Sequence, residues 1–209
     1  PMALPSGVTP SALSALAPTP VCAYNISDTA VPLPVAPSVI LVLDLSGSMT
    51  HRHAVPEAVA RDIWAAARMT APAEPERTED GNVRVTRVAA LKAAVHRALD
   101  SIVEENPRQR VGLVVFDSDV TIMGDCSAAH VVLTGDTLTS QEDLLAAGAS
   151  ARERLLSHPV SEKEPVLRSR ITAVESCSGA TALGPAVLAG LGMVQAEEVG
   201  CRIIVVADG

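Results

Sequence analysis

Aromatic side chains are nearly absent from this chain of 209 residues; Tyr24, Trp64 and Phe116 are the full set. The core must therefore be built from Val, Leu, Ile and Ala. Those residues pack helices on sheets well, but they offer no stacking platform for nucleic-acid bases. No block of Lys or Arg stands out and the formal charge is −8, which argues against a broad grip on nucleic acid or anionic lipid. Cys22, Cys126, Cys177 and Cys201 are far apart and form no CxxC. Neither zinc spacing nor a disulfide framework is indicated, and thiols in a reducing, cytoplasmic compartment are expected. An extracellular setting is the alternative, in which the Asn25-Ile26-Ser27 sequon would matter. No run approaches the roughly 18 to 20 apolar residues that span a bilayer. Phosphate-cradling GxGxxG and GxxxxGK(S/T) loops are missing, as is a GxSxG elbow.

What is present falls into two regions. Residues 1–35 are rich in Pro, Ala and Ser; a disordered lead-in is expected there, with a short edge strand near residues 21–24. From residue 36 to 209, apolar strands alternate with helices. Residues 39–43 and 111–116 are continuous apolar runs suited to strands buried on both faces. Val88, Leu91, Val95, Leu99 and Ile102 recur at spacings of three and four after a capping Thr86, which predicts a helix. Asp117-Ser118-Asp119 predicts a turn into a return strand at the sheet edge, with one more short strand at 130–133. Ser140 with Asp143 opens a helix to about 156, a second covers 165–176, a third covers 184–198, and 202–207 is the last strand. Residues 56–69 look helical, and residues 70–82 are charged and Pro-containing, the best candidate for disorder within the domain. The alternation predicts an α/β fold, a mostly parallel sheet covered on both faces.

Ligands of open α/β sheets sit at the carboxyl ends of the strands. Asp44 ends the first strand and Asp208 the last, while Ser46 and Ser48 flank Gly47 in the loop after Asp44. Such small oxygen donors suit a hard cation. One directly bound carboxylate and two neutral hydroxyls would leave a divalent ion with net positive charge, able to take an outside carboxylate.

Asp44-Leu45-Ser46-Gly47-Ser48 resembles the DxSxS motif of the von Willebrand factor type A (vWA) domain, whose members carry a metal-ion-dependent adhesion site. The stretch at 179–184, GATALG, resembles the family's threonine loop, and VVADG at 205–209 resembles its strand-end aspartate. The resemblance implies a Rossmann-like three-layer sandwich over residues 36–209, truncated at its C-terminal end because the family continues with further strands and helices. It implies magnesium, with manganese or calcium as substitutes. Asp44, Ser46 and Ser48 would bind directly, Thr181 directly or through water, and Asp208 through water or an outer hydrogen bond. It implies a protein partner presenting a carboxylate, and binding rather than catalysis, so a non-enzyme is expected. Residues 51–85 exceed the family's usual step into the next helix and read as an insertion.

Other readings of the same residues are weaker. Asp44 as a phosphotransferase nucleophile would want a second acid where Ser46 stands. A vestigial metal site on a scaffold is a further alternative. His51 and His53 read as solvated loop residues, with a second metal pair as the weaker alternative, His96 as exposed on a charged helix face, and Asp117 and Asp119 as turn residues.

Overall fold

The computed structural model describes residues 37–175, 179–194 and 200–208. The lead-in at 1–35, with its expected disorder and edge strand, lies outside the described residues. Residues from Val35 to Gly209 form one compact unit. Its centre is a five-stranded sheet in which β1 (Val39–Asp44) lies between β4 (Val111–Phe116) and β7 (Arg202–Val206), parallel to both. Beyond β4 come β5 (Val120–Gly124), which runs antiparallel, and β6 (Val131–Leu133). β6 therefore covers β5, which is not the edge strand the sequence predicts.

The period-two geometry of β1 sorts its side chains between two cores. Val39, Leu41 and Leu43 face α2 (Arg87–Glu105) and α4 (Val160–Ala173). Ile40 and Val42 face α3 (Gln141–Leu155) and α5 (Leu183–Gly192). All six residues of β1 are buried, as expected for a central strand with helices on both sides. The fold is thus an α/β, Rossmann-like three-layer sandwich.

Two helix starts follow the sequence closely. The Thr86 hydroxyl accepts from the Ala89 amide at 3.3 Å, and the Ser140 hydroxyl accepts from the Asp143 amide at 3.2 Å. α4 begins earlier than predicted and carries Pro165 inside it. A helix-interior proline costs about 3 kcal/mol, and burial of Val160, Leu167 and Ile171 offsets that cost. The predicted stretch to residue 198 runs past Val194 into residues outside the description; α5 itself ends at Gly192.

The insertion holds the main differences. Residues 52–55 form β2 (Arg52–Val55), which pairs antiparallel with β3 (Val83–Thr86) in a separate small sheet. Between them lies α1 (Glu57–Ala66), inside the predicted helix, whose Ala60 and Trp64 pack with Val83, Val85 and Ala89 in a third cluster. The stretch at 70–82 is ordered, not disordered: Thr78 donates its amide to Asn82 O at 2.9 Å, and Gly81, at φ 78°, donates to Thr78 O at 3.0 Å. A left-handed glycine closing a tight turn supplies the order that charge and proline content conceal.

Candidate functional site

β1 delivers Asp44 to the carboxyl end of the sheet, level with Phe116 of β4. The Leu45 amide donates to Phe116 O at 2.7 Å, which extends the strand by one residue. The chain then bends sharply, because the Ser46 amide donates to Asp44 Oδ1 at 2.8 Å. A short 3-10 turn, Gly47–Thr50, follows; the Met49 amide bonds Ser46 O at 3.0 Å and the His51 amide bonds Ser48 O at 3.1 Å. Met49 is buried and pins the turn to the core. The hydroxyls of Ser46 and Ser48 end up on one side, 3.1 Å apart. Asp44 and Ser46 are each 1% exposed.

Asp208 arrives from β7, the neighbour of β1 on the other side. The Ser48 hydroxyl, followed by the Arg87 guanidinium, favours the charged form and holds the Asp208 carboxyl below its ordinary pKa against the raising effect of burial. Four sequence-predicted residues thus gather at one end of the sheet: Asp44 bonded to the Ser46 amide, Ser46 bonded to Ser48, and Asp208 at the end of the neighbouring strand.

Thr181 is not joined to them by any hydrogen bond given among the described residues. It is exposed, in the coil before α5. That coil is held at the same end of the sheet, because the Ala182 amide donates to Asp117 O at 2.8 Å and the Ala180 amide to Ser118 Oγ at 3.0 Å. Asp117 itself accepts from the Asp119 amide at 2.9 Å, in keeping with a turn role.

Two further residues belong to the site and escaped sequence reasoning. Arg87 Nη1 donates to Asp208 Oδ2, and Arg87 Nε donates to His53 Nε2 at 2.7 Å. His53 is therefore an acceptor in this network. Residues 83–86 alternate apolar and polar, but residues 52–55, RHAV, do not, so no sequence signal pointed to residue 53 lying beside residue 87. A cavity of about 440 Å³ adjoins them, lined by Met49, Ile63, Leu91 and Val206 together with Arg87 and Asp208.

The donor chemistry fits a small hard cation. Adjacent ligands of an octahedral magnesium, bound at 2.0 to 2.1 Å, lie roughly 2.9 Å apart, close to the 3.1 Å between the two serine oxygens. No cluster of three or more His, Cys, Asp or Glu suited to a metal occurs among the described residues. The set here is instead two carboxylates and two hydroxyls, which a softer metal such as zinc would not favour. No helix among the described residues is long and apolar enough to cross a membrane.

No family model matches the chain. A curated relative, circularly permutated Ras protein 1 of Dictyostelium discoideum, is 24% identical over 173 residues, which make up 82% of this chain and 20% of the relative. The chain thus spans about a fifth of that relative's length. The match corrects one expectation: Ras proteins are GTP-hydrolysing enzymes, and similarity to a protein of that name overturns the expectation of a non-enzyme.

Proposed function

We propose that this chain is a vWA-type module that binds a partner protein through a divalent cation. Asp44, Ser46 and Ser48 would hold the ion directly, Asp208 through water, and Thr181 from the loop before α5. Magnesium, or manganese or calcium in its place, would supply a positive centre for a carboxylate on the partner. The observation that carries this reading is the pair of serine hydroxyls 3.1 Å apart beside a buried Asp44, with Asp208 at the end of the neighbouring strand. A reducing, intracellular setting is part of the proposal, in keeping with four cysteines that are far apart and form no CxxC.

Titration of magnesium chloride into the 209-residue chain by calorimetry tests the reading. One saturable site is expected, lost in Asp44→Asn and weakened about tenfold or more in Ser48→Ala, as for loss of a ligand or its outer support. An unchanged isotherm in Asp44→Asn, or none in the parent chain, overturns it.

The Ras relative favours a second reading, in which the same oxygens serve a nucleotide-dependent activity. Ras-type sites hold magnesium by a hydroxyl and an aspartate, the donor types found here. Fluorescent GTP added with magnesium separates the two: saturable binding abolished in Asp44→Asn supports the nucleotide reading, whereas magnesium binding with no nucleotide retention supports the first.

A further inference from the structure

The guanidinium of Arg87 sits on one of the carboxylates meant for the ion, and it is held there from several sides. Nη1 donates to Asp208 Oδ2, and Nε donates to His53 Nε2 at 2.7 Å. The Arg87 amide donates to His51 O at 2.9 Å, which fixes the start of α2 against the turn that carries Ser48. The Arg87 and Asp208 side chains are only 29% and 13% exposed, so solvent screens the pair less than it screens an open surface pair. His53 and Arg87 come from the inserted hairpin and the residue that follows it. The insertion therefore places a fixed positive charge one hydrogen bond from Asp208, at the strand end beside the serine turn.

We propose that Arg87 is a built-in counter-cation of the site: it neutralises Asp208 when no ion is held, and it sets how tightly a divalent cation binds by having to yield that carboxylate. The inference rests on the reading of Asp44, Ser46, Ser48 and Asp208 as a cation site. Two positive charges sharing one carboxylate repel, and the repulsion is strong where water is partly excluded. Coupling of this kind is reciprocal, so an ion at the serines loosens the guanidinium as much as the guanidinium loosens the ion. His53 is the positioning residue, since it accepts from Nε and aims Nη1 at Asp208.

Calorimetric titration of magnesium chloride at fixed ionic strength tests this in the parent chain, Arg87→Gln, Arg87→Met and Asp44→Asn. Removing the guanidinium is expected to tighten magnesium binding by on the order of tenfold, with no binding in Asp44→Asn. Unchanged or weaker binding in both Arg87 variants, with binding still lost in Asp44→Asn, overturns the counter-cation role and leaves the cation site standing. Absence of magnesium binding in all four proteins overturns both. Should the Arg87 variants fail to fold by circular dichroism, the parent chain still decides. Its arginine Nε–H resonances, with the Arg87 peak identified by its selective shift in His53→Ala, which removes the acceptor of Arg87 Nε, are followed during magnesium addition. A shifted Arg87 peak at saturation supports release of the guanidinium, and an unmoved peak overturns it.

Discussion

His96 is 2% exposed, on a helix face whose neighbours in sequence are charged. Its Nε2 lies 3.2 Å from the Thr172 hydroxyl of α4, and its Nδ1 is buried without a hydrogen-bond partner among the described residues. Burial, then the positive charges of Arg68 and Arg168, push its pKa from 6.5 down to about 4, with Lys92 acting the same way and Asp100 opposing. The fold therefore favours neutral imidazole. Its contribution is complete above pH 6.5 and is lost as pH falls toward 4, by roughly 3 kcal/mol at pH 4. Urea unfolding at pH 7.5 and pH 4 should show a stability loss on acidification that is smaller by about this amount in His96→Gln. Equal losses in the two proteins would remove His96 from the acid response. The same residue shows why its burial escaped the sequence. The stripe Leu91, Val95, Leu99 and Ile102 meets the sheet. Lys92 and His96 form a second stripe covered by α4, where the Lys92 ammonium reaches Thr172 O at 2.8 Å. A helix covered on two sides has no simple amphipathic signature, and which polar stripe is covered depends on where a helix some 80 positions on packs.

Elements that close on themselves could be read from local residues, whereas contacts between elements could not. Thr86 and Ser140 identify their caps because the acceptor and the amide it serves lie three residues apart. Thr86→Ala should cost about 1 kcal/mol by urea denaturation, and the loss should be larger than for Thr139→Ala, whose exposed hydroxyl bonds Asp136 O and caps no amide among the described residues. The packing of α3 on α5 has no such local mark. A Cβ on Gly148 would run into Ala189 O, and one on Gly192 into Leu145 O, so each glycine admits the backbone of the other helix. Gly148→Ala is expected to destabilise by roughly 1 to 3 kcal/mol, the range for overpacking, despite alanine's better helix propensity. A neutral or stabilising outcome in the same urea assay would mean that the two helices can separate without loss. The pairing of β2 with β3 was not legible, because residues 52–55 do not alternate and because α1 and the turn at Gly81 intervene between the strands.

At the scale of the whole molecule, the candidate site is where two neighbouring strands of one sheet end. Asp44, Ser46 and Ser48 are legible because five consecutive residues carry them. Asp208 is legible because strand-end logic places it beside them. Arg87 reaches Asp208 across 121 positions, a distance over which composition and spacing say nothing. An ion held by Asp44, Ser46 and Ser48, with Asp208 reached through water, would tie the end of β1 and the loop after it to the end of β7, an arrangement that exists only in the folded chain. Ligand that binds the folded state alone stabilises it by about 2.7 kcal/mol at a concentration one hundred times its dissociation constant. For a domain of this size that corresponds to a rise in Tm of roughly 5 to 10 °C. Calorimetric melts of the 209-residue chain with magnesium chloride, against sodium chloride of equal ionic strength, should show such a rise, and Asp44→Asn should abolish it. A non-specific salt effect would raise both proteins equally, because it acts on the whole surface and not on one carboxylate. If Arg87 is the internal rival of the ion, Arg87→Gln should melt lower than the parent chain without magnesium, having lost the pair with Asp208, and should gain more on its addition. A parent chain and Asp44→Asn that respond alike to magnesium would dissolve the link between the strand ends, and with it the reading of these oxygens as one site.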